Sequence, residues 1–131
     1  MYVLDTNTLI YFFKGLGDVS TRLLAVPPKQ ISIPSIVLYE LEVGIARSKS
    51  PKKRRKQLED LTSLVSILPF GAEEARSVAS IRVNLEKKGR PIGPYDILIA
   101  AVAMTNQGIL VTRNTDEFGR IKGLRLANWY D

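Results

Sequence analysis

A chain of 131 residues, 45% hydrophobic and 24% charged, is long enough to bury one core and is expected to form a single domain over residues 1–131. It has no cysteine and no histidine, which excludes disulfides, thiolate metal sites, Ser-His-Asp or Cys-His catalysis and histidine-based hydrolysis of RNA, and leaves any metal to carboxylates, carbonyls and water. A formal net charge of +6 favours polyanionic partners, either nucleic acid or an acidic protein segment.

The first apolar run, "YVLD", reads as a strand, and "TLIYFFKG" as a helix stopped by Gly15. A short helix over "VSTRLLAV" ends at Pro27 and Pro28. "QISIP" alternates as a strand does, and Pro34 and Ser35 open a helix through "SIVLYELEVGIARS". "SPKKRRKQLEDLTSLVSIL" reads as a helix with Ser50 as N-cap and Pro51 in its first turn, its tail running into a short strand near "SILPF". "GAEEARSVASIRVNLEKKG" is a long amphipathic helix, with acids in the first turn, lysines in the last and Gly89 beyond the end. "PIGPYDILIAAVAMTNQG" holds another, with Pro94 in its first turn and apolar residues nearly all round from Ile97 to Met104, so it is expected to be buried on most sides. "ILVT" and "LRLANW" close the chain as strands.

Strands alternating with helices predict an α/β domain: a mostly parallel sheet of about five strands with helices on both faces. No apolar run is long enough for a membrane span and no signal-peptide pattern opens the chain, so the expected location is the cytoplasm, with no membrane partner.

Acids recur where such a fold binds ligands, beyond the carboxyl ends of the strands. Asp5 ends the first strand, Glu40 lies in the helix after the second, Asp96 stands in the first turn of the apolar helix, and Asn114, Asp116 and Glu117 follow "ILVT". Carboxylates gathered at one edge repel, and a divalent cation removes that cost. Oxygen ligands select hard ions, Mg²⁺ or Mn²⁺, and the chemistry expected of them is phosphodiester hydrolysis. Each acid also has a plainer role. Asp5 suits a helix N-cap, and Asp96 suits the positive end of a helix dipole. Glu40, among Leu38, Leu41, Val43 and Ile45, needs a partner, whereas Glu42 points elsewhere and is read as surface.

The segments "VLDTNTLI", "ELEVGIARS", "GRPIGPYDILIAAVA" and "ILVTRNTDEFGRIKGLRLANW" stand in the order and spacing of a PIN domain. Over essentially its whole length the chain resembles the VapC toxins of VapBC toxin-antitoxin pairs. The resemblance implies an endoribonuclease that uses Mg²⁺ or Mn²⁺ and water, with Asp5, Glu40 and Asp96 as metal-binding acids. A fourth acid, two residues after the threonine that matches Thr112, is replaced here by Asn114, so the remaining negative charge is assigned to Glu117 before Asp116. Asn7 and a neighbouring threonine, Thr6 or Thr8, are expected to orient the acids and tie the first loop to Thr112. The resemblance further implies a tRNA substrate, notably the anticodon loop of initiator tRNA, arrest of translation, a VapB antitoxin that alone contacts operator DNA, and pairing of two copies through helices.

Two other readings remain at this stage. One is a degenerate PIN domain that only binds RNA or protein, suggested by Asn114. The other is a phosphatase with Asp5 as nucleophile, since "LDTNT" approaches a D-x-D-x-T pattern with Asn7 in place of the second aspartate. The run Lys52, Lys53, Arg54 and Arg55, extended by Arg47 and Lys49, is expected to meet RNA phosphates or the antitoxin, or to be a solvated helix start. Tyr11, Phe12 and Phe13 read as core, with part of that cluster a candidate groove for an antitoxin or a second copy, and Trp129 as packing.

Overall fold

A computed structural model describes all residues, Met1–Asp131. Five short strands, β1 (Tyr2–Leu4), β2 (Ile31–Pro34), β3 (Ser66–Leu68), β4 (Ile109–Val111) and β5 (Arg125–Ala127), form one sheet in the order β3-β2-β1-β4-β5. Every neighbouring pair is parallel, so the sheet expected to be mostly parallel is wholly so. Val3 pairs with Ser32 on one side and Leu110 on the other, which brings the carboxyl ends of the central strands to one level.

Seven helices connect the strands: α1 (Thr6–Lys14), α2 (Val19–Leu24), α3 (Ser35–Ala46), α4 (Pro51–Thr62), α5 (Ala72–Lys87), α6 (Pro94–Thr105) and α7 (Thr115–Phe118). The chain steps outward from β1 through β2 to β3, then returns past β1 to β4 and β5. Right-handed crossovers therefore put the helices made before and after that return on opposite faces. With both faces covered, Val3, Leu4, Leu110 and Val111 are fully buried, as continuous apolar strands of a parallel sheet should be. In α6, Ile97, Ile99, Ala100, Ala101, Val102 and Ala103 are buried, as its all-round apolarity predicts.

Several expectations change in detail. Helix α4 stops at Thr62 rather than running on toward the strand, because Ser66, Ile67 and Leu68 pair with Ser32, Ile33 and Pro34 of β2. Before it, Leu64 N donates to Leu61 O at 3.0 Å and tightens the last turn. The final strand is three residues long, because the Asn128 side chain accepts from Tyr130 N at 2.9 Å and turns the chain. Two elements were not foreseen, α7 and a 3₁₀ turn at Pro28–Gln30. Trp129 is buried and stacks on Tyr2, with ring centroids 5.1 Å apart. Tyr11, Phe12 and Phe13 pack against the core but are only half-buried.

Candidate active site

The order of strands reverses between β1 and β4, and open parallel sheets form a crevice beyond the carboxyl ends of the strands at such a point. Asp5 stands there, 6% exposed, immediately after β1. Its Oδ1 accepts from Thr8 N at 2.8 Å, so the residue caps α1 while its carboxylate stays at the crevice. The capping role and the site role are the same placement.

The residues after Asp5 divide the remaining work. The Thr6 hydroxyl donates to Glu40 Oε1 at 2.6 Å and supplies the partner that an acid on α3 needs. The Thr8 hydroxyl donates to Val111 O at 3.0 Å and ties the start of α1 to the end of β4. Asn7 is exposed, and lines a cleft of ≈ 260 Å³ with Asp5, Tyr11, Arg113 and Asn114. The tie to the last motif therefore runs through Thr8 rather than Asn7. The bond from Thr6 to the Glu40 carboxylate is charge-assisted and contributes about 1.5–3 kcal/mol. Replacing Thr6 with Val should free the Glu40 side chain, lower the melting temperature by several degrees and lower the expected RNA cleavage roughly tenfold at a temperature where the variant stays folded.

Asp96 is the third residue of α6 and half-buried. Its pKa is pushed up to about 6, first by burial and then by the negative charges of Asp5, Glu117 and Glu40. Burial also raises Asp5, by more than hydrogen bonding from Thr112 and Thr8 lowers it, and the Glu40 charge adds to the rise. The four acids singled out in the sequence thus act on one another across the crevice. No three acidic side chains are arranged so that they could hold a metal ion between them.

Glu117 lies on α7, whose position is set by Phe118, 1% exposed, and by Asn114 at its N-terminus. Asn114 Nδ2 donates to Glu117 Oε2 at 3.1 Å, while Asn114 N donates to the buried Thr112 hydroxyl at 3.0 Å. The amide at the position where the resemblance implies a fourth acid therefore holds the nearby glutamate. Asp116 is exposed and is not among the charges that raise Asp96, which separates it from Glu117. After α7, Arg120 Nη1 donates to Pro91 O at 3.2 Å, linking this segment to the loop that leads into α6 and Asp96.

Of the basic run, Arg54 alone shares a groove with one of the four acids. Arg55 is taken up by Glu42 at 2.9 Å, so Glu42 is a paired residue on the surface. Arg54 hydrogen-bonds Gln57 at 3.1 Å and lines a groove of ≈ 350 Å³ that also contains Glu40, Phe13, Leu41 and Leu58. Arg47, Lys49, Lys52 and Lys53 are exposed. A second, more apolar groove of ≈ 460 Å³ runs between α1, α2 and α4 past Phe12, Leu23, Leu24, Leu61 and Val65. Phe13 lines both grooves and Phe12 the second, as a surface cluster would. One residue near the acids was not singled out in the sequence, Arg113. For Arg113 the only sequence signal was its position directly after Thr112.

The PIN domain family model matches residues 2–124. The tRNA(fMet)-specific endonuclease VapC of Shigella flexneri is 34% identical over 128 residues, covering 98% of this chain and 97% of that protein. Ribonuclease VapC2 of Rickettsia felis is 37% identical over 131 residues, covering 98% of each. Among solved structures, VapBC2 from Rickettsia felis bound to a DNA fragment from its promoter superposes with a TM-score of 0.90 at 36% identity, covering 98% of both chains. A shared fold, an acid at the end of β1 and an acid-lined crevice between β1 and β4 accompany that similarity, and the chain belongs to the PIN-domain family, among its VapC ribonucleases.

Proposed function

We propose that this ribonuclease is a metal-dependent toxin that hydrolyses a phosphodiester bond in tRNA, with initiator tRNA the leading substrate, and so arrests translation until a VapB antitoxin binds it. The carrying observation is the half-buried Asp96 at the crevice, lifted to about 6 first by burial and then by the charges of Asp5, Glu117 and Glu40. Such a site favours a cation. Mg²⁺ keeps several waters and takes only one or two carboxylates plus substrate phosphate, a demand that carboxylates at a crevice without histidine or cysteine suit.

In this reading Asp5 and Asp96 hold the ion, Glu40 and Glu117 complete the negative field around it, and Thr6, Thr8, Thr112 and Asn114 keep the carboxylates aimed. A bound Mg²⁺ or Mn²⁺ would supply charge neutralisation at phosphate and a more acidic water. The name of the Shigella relative supports the substrate, and the Rickettsia complex supports an antitoxin partner and contact with promoter DNA within that complex. The apolar groove beside Phe12 and Leu61 gives such a partner a surface to cover. No helix is long and apolar enough to cross a membrane.

The test is cleavage of total tRNA by purified protein with Mg²⁺ or Mn²⁺, beside EDTA and Asp5→Ala controls, with the cut mapped by primer extension. Cutting at one position that both controls abolish is the expected result. Cutting that persists in EDTA would remove the metal from the mechanism, and intact tRNA with another RNA cut would replace the substrate.

A further inference from the structure

The crevice is negative, yet its substrate is a polyanion, and the basic run on α4 reaches the acids only through Arg54, in the groove beside Glu40. The cleft at Asp5 has one cation of its own. Arg113 follows Thr112 directly at the end of β4 and lines the same cleft as Asp5, Asn7 and Asn114. Its guanidinium carbon lies 3.6 Å from the centroid of the Tyr130 ring and 5.9 Å from that of Tyr11, and the two tyrosines pack edge to face with centroids 4.7 Å apart.

The ring beneath Arg113 is itself anchored. Tyr130 O accepts from Asp18 N at 2.9 Å. Arg22 reaches across to the same segment, donating to Asn128 O at 2.7 Å and Asp131 O at 2.9 Å. Gly17, at φ +62°, has no room for a side chain, since a Cβ there would lie 2.6 Å from the Tyr130 ring. Four contacts distant in sequence thus converge to hold one aromatic face under one guanidinium.

Stacking fixes the plane of an arginine while leaving its N–H edge available, the arrangement suited to two-point recognition of a phosphate. The nearest acid on that edge, Asp131, is 3.9 Å away and, like Arg113, well exposed, so the contact is weak and can yield to a phosphate.

We propose that Arg113, held on Tyr130, is the phosphate-positioning residue of this cleft and places an RNA phosphodiester against the acids at Asp5. This rests on the ribonuclease reading above. Arg113 is a positioning residue: it neutralises and orients the phosphate group, and breaks no bond itself.

The experiment compares wild type with Arg113→Ala, Arg113→Lys, Tyr130→Ala and Tyr130→Phe, using total tRNA as the probe. Cleavage is followed with Mn²⁺, and binding is followed by anisotropy of end-labelled tRNA in EDTA over a range of salt. Arg113→Ala is expected to lower kcat/KM roughly tenfold to a hundredfold and to reduce the slope of log K against log salt by about 0.7–0.9, the value of one lost phosphate contact. Arg113→Lys keeps the salt slope but not the rate, because a point charge cannot form the flat two-point contact. Tyr130→Ala is expected to behave as a milder Arg113→Ala, and Tyr130→Phe as wild type, because the ring and not the hydroxyl supports the guanidinium. Melting temperatures within a degree or two across the Arg113 variants exclude a merely structural effect.

Wild-type cleavage with unchanged kcat/KM and unchanged salt slope in Arg113→Ala would overturn the proposal and leave the nuclease intact. Wild-type protein that neither cuts nor binds RNA would overturn the nuclease reading and this proposal with it.

Discussion

Replacing Asp96 with Asn is expected to abolish cleavage, by about 10³-fold or more, while making the metal-free protein more stable at neutral pH. The two effects have one cause. Asp96 is hard to ionise in the fold, with its pKa raised from 3.8 to about 6 by burial and by Asp5, Glu117 and Glu40. The folded protein thus binds this proton more tightly than the unfolded chain does, and the contribution of Asp96 to stability falls as pH rises from about 4 through 6. Asp5 is shifted in the same direction, chiefly by burial, and acts in the same sense. Above pH 6 the fold carries repelling carboxylates that a neutral amide would relieve. Asp96→Asn should accordingly raise the melting temperature of EDTA-treated protein by a few degrees at pH 7.5 and flatten its dependence on pH between 4 and 7. The same amide cannot hold a cation as a carboxylate does, so adding Mg²⁺ or Mn²⁺ should stabilise wild type more than the variant. Thermal melts in EDTA and in metal, across pH, check both halves. A variant less stable than wild type in EDTA at pH 7.5 would show that Asp96 is not strained by its neighbours.

Replacing Phe118 with Ala is expected to cost about 3–5 kcal/mol, the largest stability loss of the changes considered, since its ring is 1% exposed and is the only buried side chain of α7. A fall of roughly 10 °C or more in melting temperature follows at this chain length. The loss should reach the site, because α7 is a single turn and carries Glu117 next to Phe118. Without the ring, the pair of hydrogen bonds through Asn114 is left to hold the segment alone. Phe118→Leu keeps most of the apolar volume and should cost less than about 1.5 kcal/mol while retaining cleavage. Urea unfolding with equal m-values, alongside tRNA cleavage at a temperature where both variants stay folded, separates lost stability from a displaced Glu117. An Ala variant with a wild-type midpoint would mean that Phe118 does not anchor α7.

Local chemistry made much of this protein legible before folding. Period and punctuation located all five strands and six of the seven helices, because caps, prolines and apolar spacing act over a few residues. The absence of histidine and cysteine narrowed any reaction to carboxylates and hard cations; Asp5, Asp96 and Glu117 stood at the strand ends or helix starts where a parallel sheet binds ligands, and Glu40 inside the helix after the second strand. What the sequence could not divide was the run Asp5, Thr6, Asn7 and Thr8, four residues of similar capping chemistry. Their roles are set by partners far along the chain: Glu40, 34 residues from Thr6, and Val111, 103 residues from Thr8.

The same distance in sequence hid α7, too short to show a helical period and held in place by one phenylalanine. It hid the end of α4, where pairing with β2 outcompetes a helical tail. It hid the rise in Asp96, which needs burial and three charges from other elements. It also hid Arg113, which is an ordinary surface cation until the chain's last residues return to lay Tyr130 beneath it. Spacing and side-chain chemistry determined which residues could serve a negative crevice, whereas only the tertiary structure decided which of them face it together, because those contacts join segments that no local pattern couples.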